Sequence, residues 1–198
     1  MTFCNRLRFP LLLGIVLLAL SCRNPFHPPL QEPVDTDPEE VLCRNPRELL
    51  ENLQLAYSER NINIYKALLS EDFRFELISS EVDQIGTDMT GDGIPDSWWG
   101  YDQEVQYTQN LFKEGSTDAV HQPPDELDLR LTIPPETNWE SDPELGHEDW
   151  WIIPCGFLLR LTFYENNSVL SASGVARFSV KPVGDRWYIA IWRDESNL

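Results

Sequence analysis

From Leu127 to Trp192 the chain is dominated by a two-residue alternation of apolar and polar side chains, and no other feature restricts the fold as much. Leu127, Leu129, Leu131 and Ile133 alternate with Asp128, Arg130 and Thr132. Within residues 150–164, Phe157, Leu159, Leu161 and Phe163 alternate with Leu158, Arg160 and Thr162. A strand turns successive side chains to opposite faces, so each run lays one apolar face against a core. Asn166-Asn167 supplies a hairpin turn, residues 169–180 return, Gly184-Asp185 turns again, and residues 187–192 close the set. Short turns between long strands mean antiparallel neighbours.

The preceding segment has helical spacing. Asn45-Pro46 is an N-cap followed by proline at the first helical position, and Leu49, Leu50, Leu53, Ala56 and Tyr57 recur through a helix ending near Arg60. Asn61 or Asn63 caps a shorter helix carrying Ile64, Tyr65, Leu68 and Leu69, which Ser70-Glu71-Asp72 breaks. Phe73, Phe75 and Leu77 then alternate as a strand. A Gly/Asp-rich loop covers residues 80–97, and a third helix runs from Asp102 to Lys113 with Val105, Thr108, Leu111 and Phe112, stopped by Gly115. Helices first and long strands last predict an α+β protein.

Residues 1–21 hold a basic start (Arg6, Arg8), an apolar run from Leu11 to Leu20, and Ser21 before Cys22. The run falls short of the roughly 20 residues that span a bilayer, so it reads as an export signal. Leu18-Ala19-Leu20-Ser21-Cys22 resembles the lipobox of bacterial lipoproteins, although Ala19 stands where leucine is usual. That resemblance implies cleavage before Cys22, acylation of Cys22, and a membrane as partner through the lipid anchor. Arg23 in place of aspartate implies the outer membrane, facing the periplasm. Residues 22–43 then form the acylated cysteine and a tether with Pro25, Pro28, Pro29, Pro33 and Pro38. At about 3.1 Å per residue in the polyproline form it would reach roughly 50 Å. Residues 44–198 form one domain.

The chain carries 33 acidic against 15 basic residues, a net charge of −18. Such a surface repels phosphate backbones and excludes nucleic acid as a partner. Cys43 and Cys155 are left once the signal and Cys22 are set aside. In an exported protein they either pair or stand as separate buried thiols, and pairing is the expectation. Such a bridge would close a loop of about 110 residues, worth roughly 4 kcal/mol or more.

The order of elements, with Ala56-Tyr57, the string Tyr65-Lys66-Ala67-Leu68-Leu69-Ser70-Glu71-Asp72-Phe73-Arg74-Phe75, residues 174–180, Trp187-Tyr188-Ile189 and Trp192-Arg193-Asp194, resembles the nuclear transport factor 2-like (cystatin-like, SnoaL-like) fold. The resemblance implies a cone: N-terminal helices packed in a strongly curved antiparallel sheet, with an apolar pocket inside. Some such proteins are dehydratases or isomerases and others bind ligands or proteins, so fold alone does not choose.

Asp88-Met89-Thr90-Gly91-Asp92-Gly93-Ile94-Pro95-Asp96 resembles the calcium loops of thrombospondin type 3 repeats. Calcium takes six to eight oxygens, and the spacing offers Asp88, Thr90, Asp92 and Asp96 side chains and the Ile94 carbonyl. Thr90 replaces an acid or amide, and Trp99 stands where a bidentate acid belongs, so Ca²⁺ binding there is expected to be weak. His27, His121 and His147 sit in tether and loops, and Arg160 and Arg177 lie within apolar strands, pointing either into the pocket or, as is more usual, outward to solvent. Trp98, Trp99, Tyr101, Trp150, Trp151, Trp187 and Trp192 could line a pocket or fill a core. No Ser-His-Asp order, phosphate loop or zinc spacing is present. The expected function is therefore non-catalytic binding of a small ligand or protein by a lipid-anchored envelope domain, with a small lyase or isomerase as the alternative. A buried carboxylate, tyrosine or histidine with a perturbed pKa would favour the enzyme.

Cys22→Ser should abolish incorporation of labelled fatty acid and release the chain from the membrane fraction. Continued labelling of the variant would defeat the lipobox reading.

Overall fold

Helix α1 (Pro46–Ser58) starts where the chain leaves extended geometry at Asn45, whose side chain accepts a hydrogen bond from the Glu48 amide at 2.8 Å. The Glu48 carboxylate reaches back to the Arg44 amide at 2.9 Å, so both ends of the first turn are satisfied. Arg60 turns the chain at a φ of 52°. Of the two candidate caps Asn61 is the one used: its side chain accepts from the amides of Asn63 and Ile64 and opens α2 (Ile62–Leu68). The computed structural model describes residues 43–88, 90–115 and 122–195. The export signal, Cys22, the proline tether, His27, Met89 and His121 lie outside them.

Strand β1 (Leu69–Glu76) follows α2 directly, so the helix stops just ahead of Ser70-Glu71-Asp72, and those residues lie within the strand. The two acids face outward, and Asp72 takes a 2.6 Å bond from Lys181. A one-turn helix α3 (Val82–Ile85) interrupts the predicted loop. Strand β2 (Trp98–Gly100), which had no alternation to announce it, pairs antiparallel with β1, setting Phe75 opposite Trp99. Helix α4 (Tyr101–Gln109) continues into a wide π turn over Asn110–Glu114 and ends at Gly115, whose φ of 78° suits glycine. The remaining strands are β3 (Glu126–Thr132), β4 (Glu140–Ser141), β5 (Trp151–Phe163), β6 (Ser168–Val183) and β7 (Arg186–Asp194).

Among the described residues these strands form one seven-stranded sheet in the order β2-β1-β7-β6-β5-β3, with β4 beside the start of β5. The sheet is antiparallel except that β1 runs parallel to β7, because the last strand inserts between β1 and β6. Register shifts in β1 against β7, and at Ser179–Val180 in β6, add twist and curl the sheet. The result is the expected α+β cone. The concave face presents Ile153, Phe178, Val180 and Ile189 to the fully buried Leu49, Leu50 and Leu53 of α1. At the β3 edge, Gln54 of α1 accepts from the Leu131 amide at 2.8 Å, covering a strand donor that has no neighbouring strand. No helix among the described residues is long and apolar enough to cross a membrane.

The expected Cys43–Cys155 bridge is not made: both residues are buried free thiols. Cys43 is engaged just before α1, where its carbonyl accepts from the Trp187 amide at 2.8 Å and its sulfur from Asn52 at 3.5 Å. Cys155 lies in mid-sheet opposite Ala176. Burial pushes the Cys155 thiol up to about 12 and raises Cys43 as well. Neither supplies the thiolate that exchange requires. Denatured without reductant, the protein should take alkyl label on both cysteines, and a peptide pair joined by a disulfide would overturn this assignment.

Candidate functional site

Helix α4 starts immediately after β2, and this junction places a carboxylate in the core. Trp99 faces inward from β2, stacked on Phe75 with ring centroids 4.4 Å apart and planes 2° apart. One turn into α4, Glu104 points at the same interior and is only 6% exposed. It accepts three hydrogen bonds: from the Tyr65 hydroxyl at 2.5 Å, from Trp99 Nε1 at 2.7 Å and from the Thr108 hydroxyl at 3.2 Å. Each donor comes from a different constraint. Tyr65 is on the buried stripe of α2, Trp99 is fixed by its pairing with β1, and Thr108 is one turn along α4.

All three donors are neutral, and among the described residues no cation forms an ion pair with Glu104. Burial raises the Glu104 pKa, and the bonds from Tyr65, Trp99 and Thr108 offset only part of that rise. Burial, reinforced by the Glu104 charge, also holds the Tyr57 and Tyr65 hydroxyls well above the usual phenol range. Tyr57, Tyr65 and Phe112 meet edge to face, with centroids 5.2–6.1 Å apart, and form the apolar side of the cage. A carboxyl group with a raised pKa beside phenols is the equipment of general acid–base chemistry.

A hollow of about 270 Å³ lies at the end of α4, lined by Asn110 and Leu111 from the π turn and by Pro124, Leu161 and Phe163. Glu104 does not line it. The π turn stands between the two, because Leu111 faces the hollow while Phe112, 1% exposed, packs on Tyr57 and Tyr65. A second hollow, of about 490 Å³, is lined by Pro46, Glu136, Thr137, Trp139 and Trp151.

The acidic loop closes on itself. Asp88 accepts from the amides of Gly91, Asp92 and Gly93, Asp92 accepts from that of Ile94, and Asp96 from that of Thr90. Gly91 and Gly93 hold φ values of 77° and 85° that the turn needs. Ile94 is 65% exposed. The three carboxylates share one loop, but their oxygens are directed at main-chain donors. Nearby, Glu81 is buried with one oxygen unbonded, and burial and Asp194 raise its pKa.

Arg160 is exposed and Arg177 pairs with Glu140 at 2.7 Å, so neither enters the cone. The tryptophans separate into different places. Trp98 sits under the Arg74 guanidinium, Trp99 and Trp192 flank Phe75 inside, Trp150 stacks with His147, and Trp151 meets Trp139. Glu104 had a signal: it lies on the helical stripe Tyr101, Val105, Thr108 and Phe112, where a charge is out of place.

No protein-family model matches the chain, and no curated protein matches it significantly. Solved structures share its fold. A scytalone dehydratase-like protein from Novosphingobium aromaticivorans is 10% identical, with a TM-score of 0.51 over 77% of this chain and 81% of that one. An aromatic ring hydroxylase-like protein from the same organism is 13% identical, with a TM-score of 0.51 over 77% and 86%. A conserved protein from Planctomyces limnophilus is 10% identical, with a TM-score of 0.52 over 75% and 90%. At these identities the likeness establishes the cone-shaped α+β fold.

The raised Glu104 pKa makes a signed prediction. The folded state holds the proton over a window that opens near the ordinary value of 4.5 and extends upward to the raised folded value. Stability contributed by the protonated form is present below that window and is lost as pH rises through it. Urea unfolding should therefore show the wild type losing stability across the window, and Glu104→Gln should flatten that slope. Parallel pH profiles for the two proteins would show that Glu104 titrates normally.

Proposed function

We propose that the domain is a small acid–base enzyme of the lyase or isomerase class, with Glu104 as its proton-transfer group. The observation that carries this reading is a core carboxylate held by three neutral donors, with no ion-paired cation among the described residues and a raised pKa. A base of this kind removes a proton from carbon next to a carbonyl, where the best pKa lies near the working pH. In an elimination the electron pair of that C–H bond becomes the new double bond, the bond to the β-oxygen breaks, and the oxygen leaves as water after protonation. Glu104, having taken the proton from carbon, returns it to the departing oxygen, while Tyr65, Trp99 and Thr108 orient the carboxylate. The aromatic walls suit an apolar or aromatic substrate. It would approach from the hollow at the π turn by displacing Phe112, and π bulges recur at functional sites. Dehydration is also the reaction named for one protein of the same fold, which supports the class and not the substrate.

A second reading, ligand binding without chemistry, draws on the hollow itself, whose Leu111, Leu161 and Phe163 walls include no titratable group. On either reading the sequence supports placing the domain at the bacterial envelope, anchored through Cys22 at the outer membrane. Weak calcium binding by Asp88, Thr90, Asp92, Ile94 and Asp96 belongs with the proposal as a structural element outside the chemistry.

A panel of β-hydroxy ketones and enolisable aryl ketones tests the enzyme reading, followed by enone absorbance and by proton–deuterium exchange in NMR. Turnover should fall by about 10²-fold or more in Glu104→Gln with the fold retained, and less in Tyr65→Phe. Tryptophan quenching by these compounds, with no turnover in wild type or variant, would transfer the case to binding.

A further inference from the structure

The loop joining β4 to β5 carries a group of side chains that the acid–base reading leaves unused. Asp142, Glu144 and His147 each bring one ligand atom to within 4.8 Å of the others. His147 Nδ1 stands 3.2 Å from Asp142 Oδ2 and 3.7 Å from Glu144 Oε2. The backbone builds this convergence. The Asp142 amide donates to the Trp150 carbonyl, the His147 amide to the Glu144 carbonyl, and the Trp150 amide to the His147 carbonyl. Gly146 takes the φ of 92° that lets the chain double back. Asp142 Oδ1 accepts from the Glu144 amide at 3.0 Å, which leaves Oδ2 facing the imidazole. The His147 ring lies flat on the Trp150 indole, centroids 3.6 Å apart and planes 7° apart, so its nitrogen cannot swing away freely.

A second observation concerns the imidazole itself, whose side chain is 18% exposed. His147 Nδ1 is shut off from solvent and makes no hydrogen bond, although a carboxylate oxygen is near enough for an ion pair. Buried ring nitrogens in native structures nearly always have a partner. A cation between the three atoms supplies one.

We propose that Asp142, Glu144 and His147 form a zinc site. Zinc binds histidine nitrogen at about 2.0–2.1 Å and carboxylate oxygen at about 2.0–2.2 Å, so two ligand atoms at a tetrahedral angle lie about 3.3 Å apart. The 3.2 Å separation matches that spacing, and a small shift of the exposed Glu144 closes the 3.7 Å one. The nitrogen ligand selects against calcium and magnesium, which take oxygen. Asp142 is buried at 7% side-chain exposure and Glu144 is open at 70%, so the fourth position faces water. The Glu144-amide bond to Asp142 Oδ1 orients that ligand from behind, as outer-shell contacts do. Bound there, zinc would clamp the β4–β5 connection beside the Trp139–Trp151 pair. The proposal does not rest on the Glu104 chemistry.

The test titrates the intact, metal-stripped chain with zinc against a chromophoric chelator and follows thermal melting. One zinc per chain and a higher Tm are expected. Asp142→Asn, His147→Ala and the exposed Glu144→Gln should each weaken zinc by about tenfold or more, since even outer-shell losses cost 10–100-fold. Asp92→Ala and Glu104→Gln should leave zinc binding unchanged. Glu144→Gln keeps the test valid if the buried variants unfold. No stoichiometric zinc, equal affinity in the Glu144 variant, or an equal response to magnesium would overturn the site. The first result would leave an ordinary ion pair in an acidic loop.

Discussion

Everything in this domain depends on closing a curled sheet over the apolar stripe of α1. Leu49, Leu50, Leu53 and Ala56 are wholly buried there, and full burial of each leucine contributes about 1.5–3 kcal/mol. That face exists only when the last strand has arrived, because β7 separates β1 from β6 and bonds to both. The N-terminal helices therefore wait on the C-terminal strand. Pairings between residues so far apart in the chain, such as Phe75 with Trp192, make slow folding the physical expectation.

The same closure puts Glu104 where it is. Helix α4 must cover the cone beside α2, and its inward stripe includes the acid. Leaving a carboxylate there costs more than any apolar residue of that size would, since neutral donors repay desolvation only in part. Its three bonds bring together α2, β2 and α4, so they also fix how those elements meet. A network of this kind specifies one arrangement of the core, and its stability is sacrificed wherever the acid is charged. Retaining a charge-prone group at the most expensive place in a fold is how functional sites differ from packing.

How much of this was legible differs by element. The long strands were readable because alternation over many residues has no competing explanation, and Asn45-Pro46 because cap and proline agree. Strand β2 was not, since Trp98-Trp99 has no period and acquires its role only by pairing with β1. The parallel β1–β7 pair was not either, because local spacing says nothing about which strand a chain end will join. Cys43 and Cys155 suggested a bridge through compartment and count alone, and neither reports where a sulfur points. Glu104 was passed over, although it puts a charge on an otherwise apolar stripe. Its donors were not legible, because Tyr65 is 39 residues away and meets it only through the fold.

The two acidic loops show why composition is a poor guide to cation chemistry. Asp88 directs its oxygens at three amides, Asp92 accepts from the Ile94 amide and Asp96 from the Thr90 amide, so the loop's negative charge is met by main-chain dipoles. A cation there must draw on whatever lone pairs remain. The β4–β5 loop has no recognisable motif, yet Asp142 spends only one oxygen on the backbone. Its other oxygen, a Glu144 oxygen and an unbonded imidazole nitrogen are left facing one another. What distinguishes the loops is the donor atoms left over once the backbone has been satisfied, a quantity that spacing motifs do not measure. Only the folded loop, with Trp150 holding the ring and Gly146 reversing the chain, determines it.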